Sequence, residues 1–348
     1  MATASPASLI DPAALGAFLD ARLGGPSLPV QVTKHTAGFS NETFYIDRGL
    51  AHYVLRRPPA GPLLPTAHDV AREHRFLAAL AGRARVPKPL ALCEDLAVLG
   101  APFYVMERVD GVVARDALPE AYDTPAGRKK MGEELIDALV EMHAVDWREA
   151  GLTGRDTGYV TRQLERWASQ WELTKPRTRE LPGLDAITRW LREGVPAHVP
   201  HTVVHGDYKL DNVMWARDEP RLIAIFDWEM ATIGDPLADL GYLLHSWSAA
   251  RPVPGYEDRA PARPPLTALE GFPTVPEMMA RYEATSGRSM KDFLYYRVLA
   301  SYKLIVILEG LYMHYKEGAA ANPGAAEFEW GVPMRIVATQ RLIDEGQS

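Results

Sequence analysis

His205-Gly206-Asp207-Tyr208-Lys209-Leu210-Asp211-Asn212 is followed, after a short apolar run, by Ile225-Phe226-Asp227-Trp228-Glu229. Thr202 to Val204, just ahead, reads as a short strand that delivers the first stretch onto a loop. Val213 to Trp215 and Leu222 to Phe226 read as two strands paired around Asp218-Glu219-Pro220. Asp207 and Asn212 therefore stand beyond the end of a strand, and Asp227 beyond the end of a hairpin. Phosphoryl transfer needs this set of groups: one carboxylate to accept the proton of the attacking hydroxyl, and an amide oxygen with a second carboxylate to hold magnesium on the phosphates. Asp207 alone would read as a turn residue. Its combination with Asn212 and Asp227 makes it the candidate base, with Asn212 and Asp227 as candidate magnesium ligands. The ten histidines are scattered, and no His/Cys cluster suggests zinc.

Outward from this centre the chain changes character. Residues 9 to 23 carry apolar positions at helical spacing behind Asp11-Pro12. Val30 to Thr36, Thr43 to Asp47 and His52 to Arg56 read as strands, with turns at Gly38 and Arg48-Gly49. A helix is expected from Ala67 to Ala81. Val70, Glu73, Leu77 and Leu80 share its inner side, and a carboxylate there needs a cationic partner. Strands follow near 90 to 99 and 102 to 107. Beyond about residue 112 the pattern is helical: a helix ending near His143, another from Tyr159 to Thr174, one opened by Asp235-Pro236, and long helices from 277 to 316. The proline-bearing stretch 251 to 276 reads as irregular loop. A strand-rich first third before a mostly helical remainder implies two lobes with a ligand cleft between them.

The chain has 348 residues and a formal charge of −7, with no concentrated Lys/Arg run, which argues against a nucleic-acid or membrane-surface partner. The apolar window Val298 to Met313 contains Lys303 and Glu309 and reads as a buried core helix rather than a membrane span. A lone Cys93 excludes an intrachain disulfide, and the first residues lack a signal-peptide pattern, so the expected compartment is the cytoplasm. No motif specifies an oligomeric state.

The Asp207 to Asn212 offset followed by a lone Asp227 has the order of the kinase patterns H-R-D-L-x-x-x-N and D-F-G. Gly206 stands in place of the Arg, and Trp228-Glu229 in place of Phe-Gly. In this form the chain resembles the aminoglycoside-phosphotransferase-like family of small-molecule kinases more than the protein kinases, whose A-P-E segment is also absent. The resemblance implies an α+β, bilobal protein-kinase-like fold, with a nucleotide-binding lobe over 1–106 and a catalytic and acceptor-binding lobe over 107–348. It implies ATP and Mg as cofactors and a small-molecule acceptor. On it, Thr36 to Thr43 would cover the phosphates, Gly38 allowing close approach and Ser40 or Asn41 donating hydrogen bonds. The family's phosphate-contacting Lys would be replaced by Arg56 and paired with Glu73. Arg56 and Arg57 point to opposite faces of a strand, so only one can enter the cleft, and the family register selects Arg56. Met106, Glu107 and Val109 would present backbone to adenine. Asp239 and His205 would brace the Asp207 loop.

Tyr159-Val160-Thr161-Arg162-Gln163-Leu164-Glu165-Arg166-Trp167 and Leu308-Glu309-Gly310-Leu311-Tyr312 are similar to the branch of that family found fused to acyl-CoA dehydrogenase domains. The branch implies a hydroxy acid or hydroxyacyl-CoA as acceptor, with an aminoglycoside or amino alcohol as the alternative. Arg162, Arg166 and Trp167 are the candidate acceptor contacts, although cations and carboxylates are mixed between 159 and 180, as on any solvated helix face. A catalytically silent nucleotide-binding protein is the reading from a different class, because Arg56 and the single glycine of the covering loop depart from the pattern.

Overall fold

Strand alternation decides which side chains reach the cleft. The computed structural model describes residues 9–35, 41–60, 68–245, 247, 252–259, 265–318 and 323–347. Gly38 and Ser40, the expected strand end at Thr36, the helix start at Ala67, and residues 251 and 260–264 of the proline-bearing loop lie outside them. Helix α1 (Pro12–Leu23) is capped by Asp11, whose carboxylate accepts from the Ala13 and Ala14 amides. Strands β1 (Gln31–His35), β2 (Glu42–Arg48) and β3 (Ala51–Arg57) form an antiparallel meander. Helix α2 (Val70–Leu80) follows, then β4 (Pro89–Cys93), a one-turn helix α3 (Leu96–Leu99) and β5 (Phe103–Glu107). The five-stranded sheet has the order β1-β2-β3-β5-β4.

Alternate residues along these strands serve opposite faces. Phe44, Ile46, Leu55, Phe103 and Val105 pack with Leu15 and Leu19 of α1 into one core. Val54, Tyr104 and Met106 point the other way and join Phe76, Leu77 and Leu80 of α2 in the larger core that runs on into the helices. Arg57 falls on the α1 side and donates to the Leu9 and Leu99 carbonyls. Arg56 falls on the cleft side. The expected strand over 90–99 is cut short: Asp95 accepts from the Ala97 amide, Gly100 takes a left-handed conformation, and the apolar run between them winds into α3.

The remainder is mostly helical: α4 (Pro125–His143), α5 (Tyr159–Thr174), α6 (Leu184–Glu193), α7 (Leu237–Leu244), α8 (Val275–Ser286), α9 (Phe293–Lys316) and α10 (Phe328–Gln347). Strands β6 (Thr202–Val204) and β9 (Thr232–Gly234) pair antiparallel, and β7 (Val213–Trp215) and β8 (Leu222–Ile225) form the expected hairpin. Asp235 stands two residues ahead of the first residue of α7, its carboxylate accepting from the Leu237 amide at 3.0 Å. Among the described residues no helix is long and apolar enough to cross a membrane. The link from sheet to helices is a short extended run in which Val112 exchanges both backbone hydrogen bonds with Trp215, at 2.9 and 2.8 Å. Gly111 makes this approach possible, since a Cβ there would stand 2.6 Å from the Trp215 carbonyl oxygen.

Candidate active site

The sheet contributes a buried charge cluster. Arg56 Nε lies 3.2 Å from Glu73 Oε2, and its other arm donates to Asp227 Oδ1 at 3.0 Å. Glu73 is fully buried on α2, where its carboxylate also accepts from the Tyr104 hydroxyl at 2.9 Å and from the Asn41 side-chain amide. Desolvation works against the Arg56 charge, but Glu73 and Asp227 overcome it and raise the guanidinium above its ordinary value. One planar fork thus ties strand β3, helix α2 and the loop after β8. A buried carboxylate at this point of α2 is stable only with such donors around it.

The loop after β6 is held from below. Asp239 on α7 is fully buried, and its two oxygens accept from the backbone amides of His205, at 2.6 Å, and Gly206, at 2.8 Å. His205 accepts from the Asp207 amide at Nδ1, 3.2 Å away, and donates from Nε2 to the Phe226 carbonyl at 3.0 Å. Because Nδ1 receives the Asp207 amide, Nε2 is the nitrogen that donates. Gly206 adopts φ +83°, and a Cβ there would meet the Met230 carbonyl oxygen at 2.8 Å. This accounts for the glycine where protein kinases carry arginine.

Asp207 accepts from the Asn212 amide at 2.8 Å and pairs with Lys209 at 3.0 Å. Burial pushes its carboxyl up, but Lys209 and the Tyr242 hydroxyl outweigh that and leave it below its ordinary value, ionised at neutral pH. Asn212 also donates to the Asp207 carbonyl at 2.9 Å. Its amide nitrogen therefore serves Asp207 alone, and the side-chain oxygen is the atom left for a cation. Asp227 sits in the left-handed region at φ +71°, a conformation that Asp tolerates better than most residues. This turn presents its carboxylate to the same cavity as Asn212 and Arg56.

That cavity, of about 360 Å³, lies between sheet and helices. Asn41, Tyr45, Val54, Met106, Glu107 and Val109 also line it, so the described sequence candidates for the nucleotide side meet in one place, Glu73 standing behind Arg56. The Glu107 carboxylate is itself occupied, accepting from the Lys88 amide at 2.8 Å. A second cavity, of about 110 Å³, adjoins Gly206 and includes Arg166, Trp167, Tyr242 and Lys303 in its walls. Arg162 does not reach it: the guanidinium folds back onto the Thr157 carbonyl at the start of α5. Arg177 and Arg179 are also committed elsewhere, to Glu317 and Glu309. Lys303 carried no signal in the sequence beyond being a charge within an apolar helix. Its neighbours come from α5, α7 and the Asp207 loop, all distant along the chain.

Residues 31–269 match the model of the phosphotransferase enzyme family. Acyl-CoA dehydrogenase family member 11 of Gallus gallus is 34% identical over 315 residues, which cover 87% of this chain and 39% of that protein. The chain thus spans about two-fifths of the length of that curated relative. The branch expected from the segments at 159–167 and 308–312 is therefore the one found. Among solved structures, a candidate aminoglycoside phosphotransferase from Ralstonia eutropha JMP134 superposes with a TM-score of 0.81 at 31% identity, covering 96% of this chain and 98% of that one. A thermostable mutant of aminoglycoside phosphotransferase APH(4)-Ia shares the fold at a TM-score of 0.59 and 15% identity, covering 94% of this chain and 98% of its own. The α+β, protein-kinase-like architecture and the sequence match agree, and the chain belongs to the phosphotransferase enzyme family.

Proposed function

We propose that this chain transfers the γ-phosphoryl group of ATP to a hydroxyl of a hydroxy acid or hydroxyacyl-CoA. The observation that carries the reading is the meeting of Asp207, Asn212, Asp227 and Arg56 at the junction of sheet and helices. The nucleotide side is the cavity of about 360 Å³, with adenine against the backbone of Met106 to Val109. In the free state Arg56 holds Asp227 at 3.0 Å. With nucleotide bound, its fork turns to phosphate oxygens and keeps Glu73 as its rear partner.

The donor set fits magnesium: one carboxylate from Asp227 and one amide oxygen from Asn212, both hard oxygen ligands with phosphates to complete the shell. The ion supplies charge neutralisation on the phosphates when bound. Asp207, ionised and aligned by Lys209 and Asn212, orients the acceptor hydroxyl and takes its proton as the new O–P bond forms and the bond to ADP breaks. Asp239 and His205 fix the loop that carries it. The lobes supported by this arrangement are the nucleotide lobe over 1–106 and the catalytic lobe over 107–348. The acyl-CoA dehydrogenase family relative favours the acid or thioester over an antibiotic acceptor.

The test is a magnesium titration of ATP binding by calorimetry. Wild type binds ATP with a strong magnesium dependence, and Asp227→Ala loses most of that dependence. Superimposable curves for the two proteins would remove Asp227 as a metal ligand.

A further inference from the structure

The cavity of about 110 Å³ beside Gly206 brings together three cations from three helices: Arg72 of α2, Arg166 of α5 and Lys303 of α9. Lys303 donates to the Gly206 carbonyl at 2.6 Å and lies 4.4 Å from the Tyr242 ring centre and 5.9 Å from that of Trp167. Arg166 covers the same Trp167 ring at 5.2 Å. Arg72 reaches across from the sheet side to the Glu229 carbonyl at 3.2 Å and to the Ala231 carbonyl. None of the three forms an ion pair with a described residue; their partners are carbonyls and rings. Asp239 is the lone carboxylate among the described lining residues, and its oxygens are taken by the His205 and Gly206 amides.

Lys303 and Arg72 are half-buried and Arg166 is exposed, and an anion placed among them would meet donors that no described carboxylate pairs. Aromatic faces hold Lys303 and Arg166 in place but leave their hydrogen-bond donors to spare. The Lys303 ammonium is also brought down to about 8, with burial as the main cause and the Asp207 and Asp239 carboxylates opposing it. The volume accommodates a small anionic head group. A polycationic acceptor would meet like charge here.

We propose that this cavity is the subsite that anchors an anionic group of the acceptor, a carboxylate or a phosphate, through Lys303 and Arg166, with Arg72 closing it from the sheet side. The proposal rests on the phosphotransferase reading above and deepens it, because it requires the acceptor to carry its own negative charge. Lys303, bonded to the residue before Asp207, then couples the anion to the loop that receives the hydroxyl.

The experiment measures coupled ADP release with hydroxy acids bearing the hydroxyl on successive carbons, their methyl esters and CoA thioesters, and glycerol 3-phosphate. Wild type uses the free acid or the phosphate with a KM at least about tenfold below that for the neutral ester. The acid series and the phosphate identify which anion is taken. Arg166, being exposed, can be changed without disturbing the fold. Arg166→Gln raises the KM for the anionic acceptor by about tenfold and leaves the KM for ATP unchanged. Lys303→Met has the larger effect, and Arg166→Gln decides the matter if Lys303→Met does not fold.

Equal use of acid and ester by wild type overturns the proposal. So does an Arg166→Gln protein with an unchanged KM for the acid, or a preference for the thioester that Arg166→Gln does not alter. If no compound releases ADP, the phosphotransferase reading fails, and thermal shift then decides the subsite alone. In that case a straight-chain carboxylate or inorganic phosphate that stabilises wild type but not Arg166→Gln upholds the subsite, and equal shifts in both, or none in wild type, refute it.

Discussion

Arg56 lies between two carboxylates, Glu73 and Asp227, whereas Lys303 lies between two aromatic rings and a carbonyl. Both stand beside the Asp207 loop, Arg56 buried and Lys303 half-buried. Arg56 has its counter-charges built into the chain, Glu73 behind it and Asp227 in front. Lys303 is held in position but not neutralised, so its charge remains available to a ligand. A cation with its counter-charge built in reads as part of the machinery, while one without it reads as a place where something binds.

The largest test of this contrast is at the residue between the two cations. Asp207→Ala lowers kcat by about 10²- to 10⁴-fold, the range for loss of a general base, and leaves ATP affinity near wild type. Turnover within a factor of a few of wild type would dismiss Asp207 as the base.

Arg56 comes next. Arg56→Ala strands Glu73 and Asp227 without their shared partner and costs about 3–5 kcal/mol of stability, read by denaturant unfolding. Arg56→Lys can pair with Glu73 but cannot fork to Asp227, so its loss is smaller, and it retains more ATP binding than the alanine variant. Equal damage from the two would mean that charge alone does not explain the position.

The smallest effect is the pH response on the acceptor side. Lys303 is protonated below about 8 and neutral above it. Burial lowers it most, the Asp207 and Asp239 carboxylates raise it, and Arg166 and Lys209 lower it further, with Arg72, Tyr242 and His245 also facing the same region. The KM for an anionic acceptor therefore rises with pH above 8, by up to about tenfold per unit, while the KM for ATP stays flat. In Lys303→Met the rise disappears.

Much of the nucleotide side was legible because its signals are local. The five-residue offset from Asp207 to Asn212, and the alternation that sends Arg56 and Arg57 to opposite faces, need only neighbours in the chain. The unfavourable φ of Asp227 and the tight contact at Gly206 could not be read, but the residue types that tolerate them could. Other elements escaped for identifiable reasons. Leu96–Leu99 is too short an apolar run to tell helix from strand, and the Asp95 cap decided it. Strand β9 has three residues, too few to show a period. Helix α10 contains Gly331 and Pro333, which disguise its helical pattern. Lys303 was invisible as a site because every group that defines it comes from elsewhere in the chain, and no spacing rule spans such a gap.

The most direct measurement follows the phosphoryl group itself. The protein is incubated with magnesium, ATP carrying ¹⁸O in its γ-phosphoryl group, and the acceptor panel, and every acceptor is weighed by mass spectrometry. One class of hydroxyl compound is expected to gain the labelled phosphoryl mass in step with ADP formation, and Asp207→Ala to stop both. ADP formed while every acceptor keeps its original mass, or ATP bound with no ADP formed at all, would contradict that expectation.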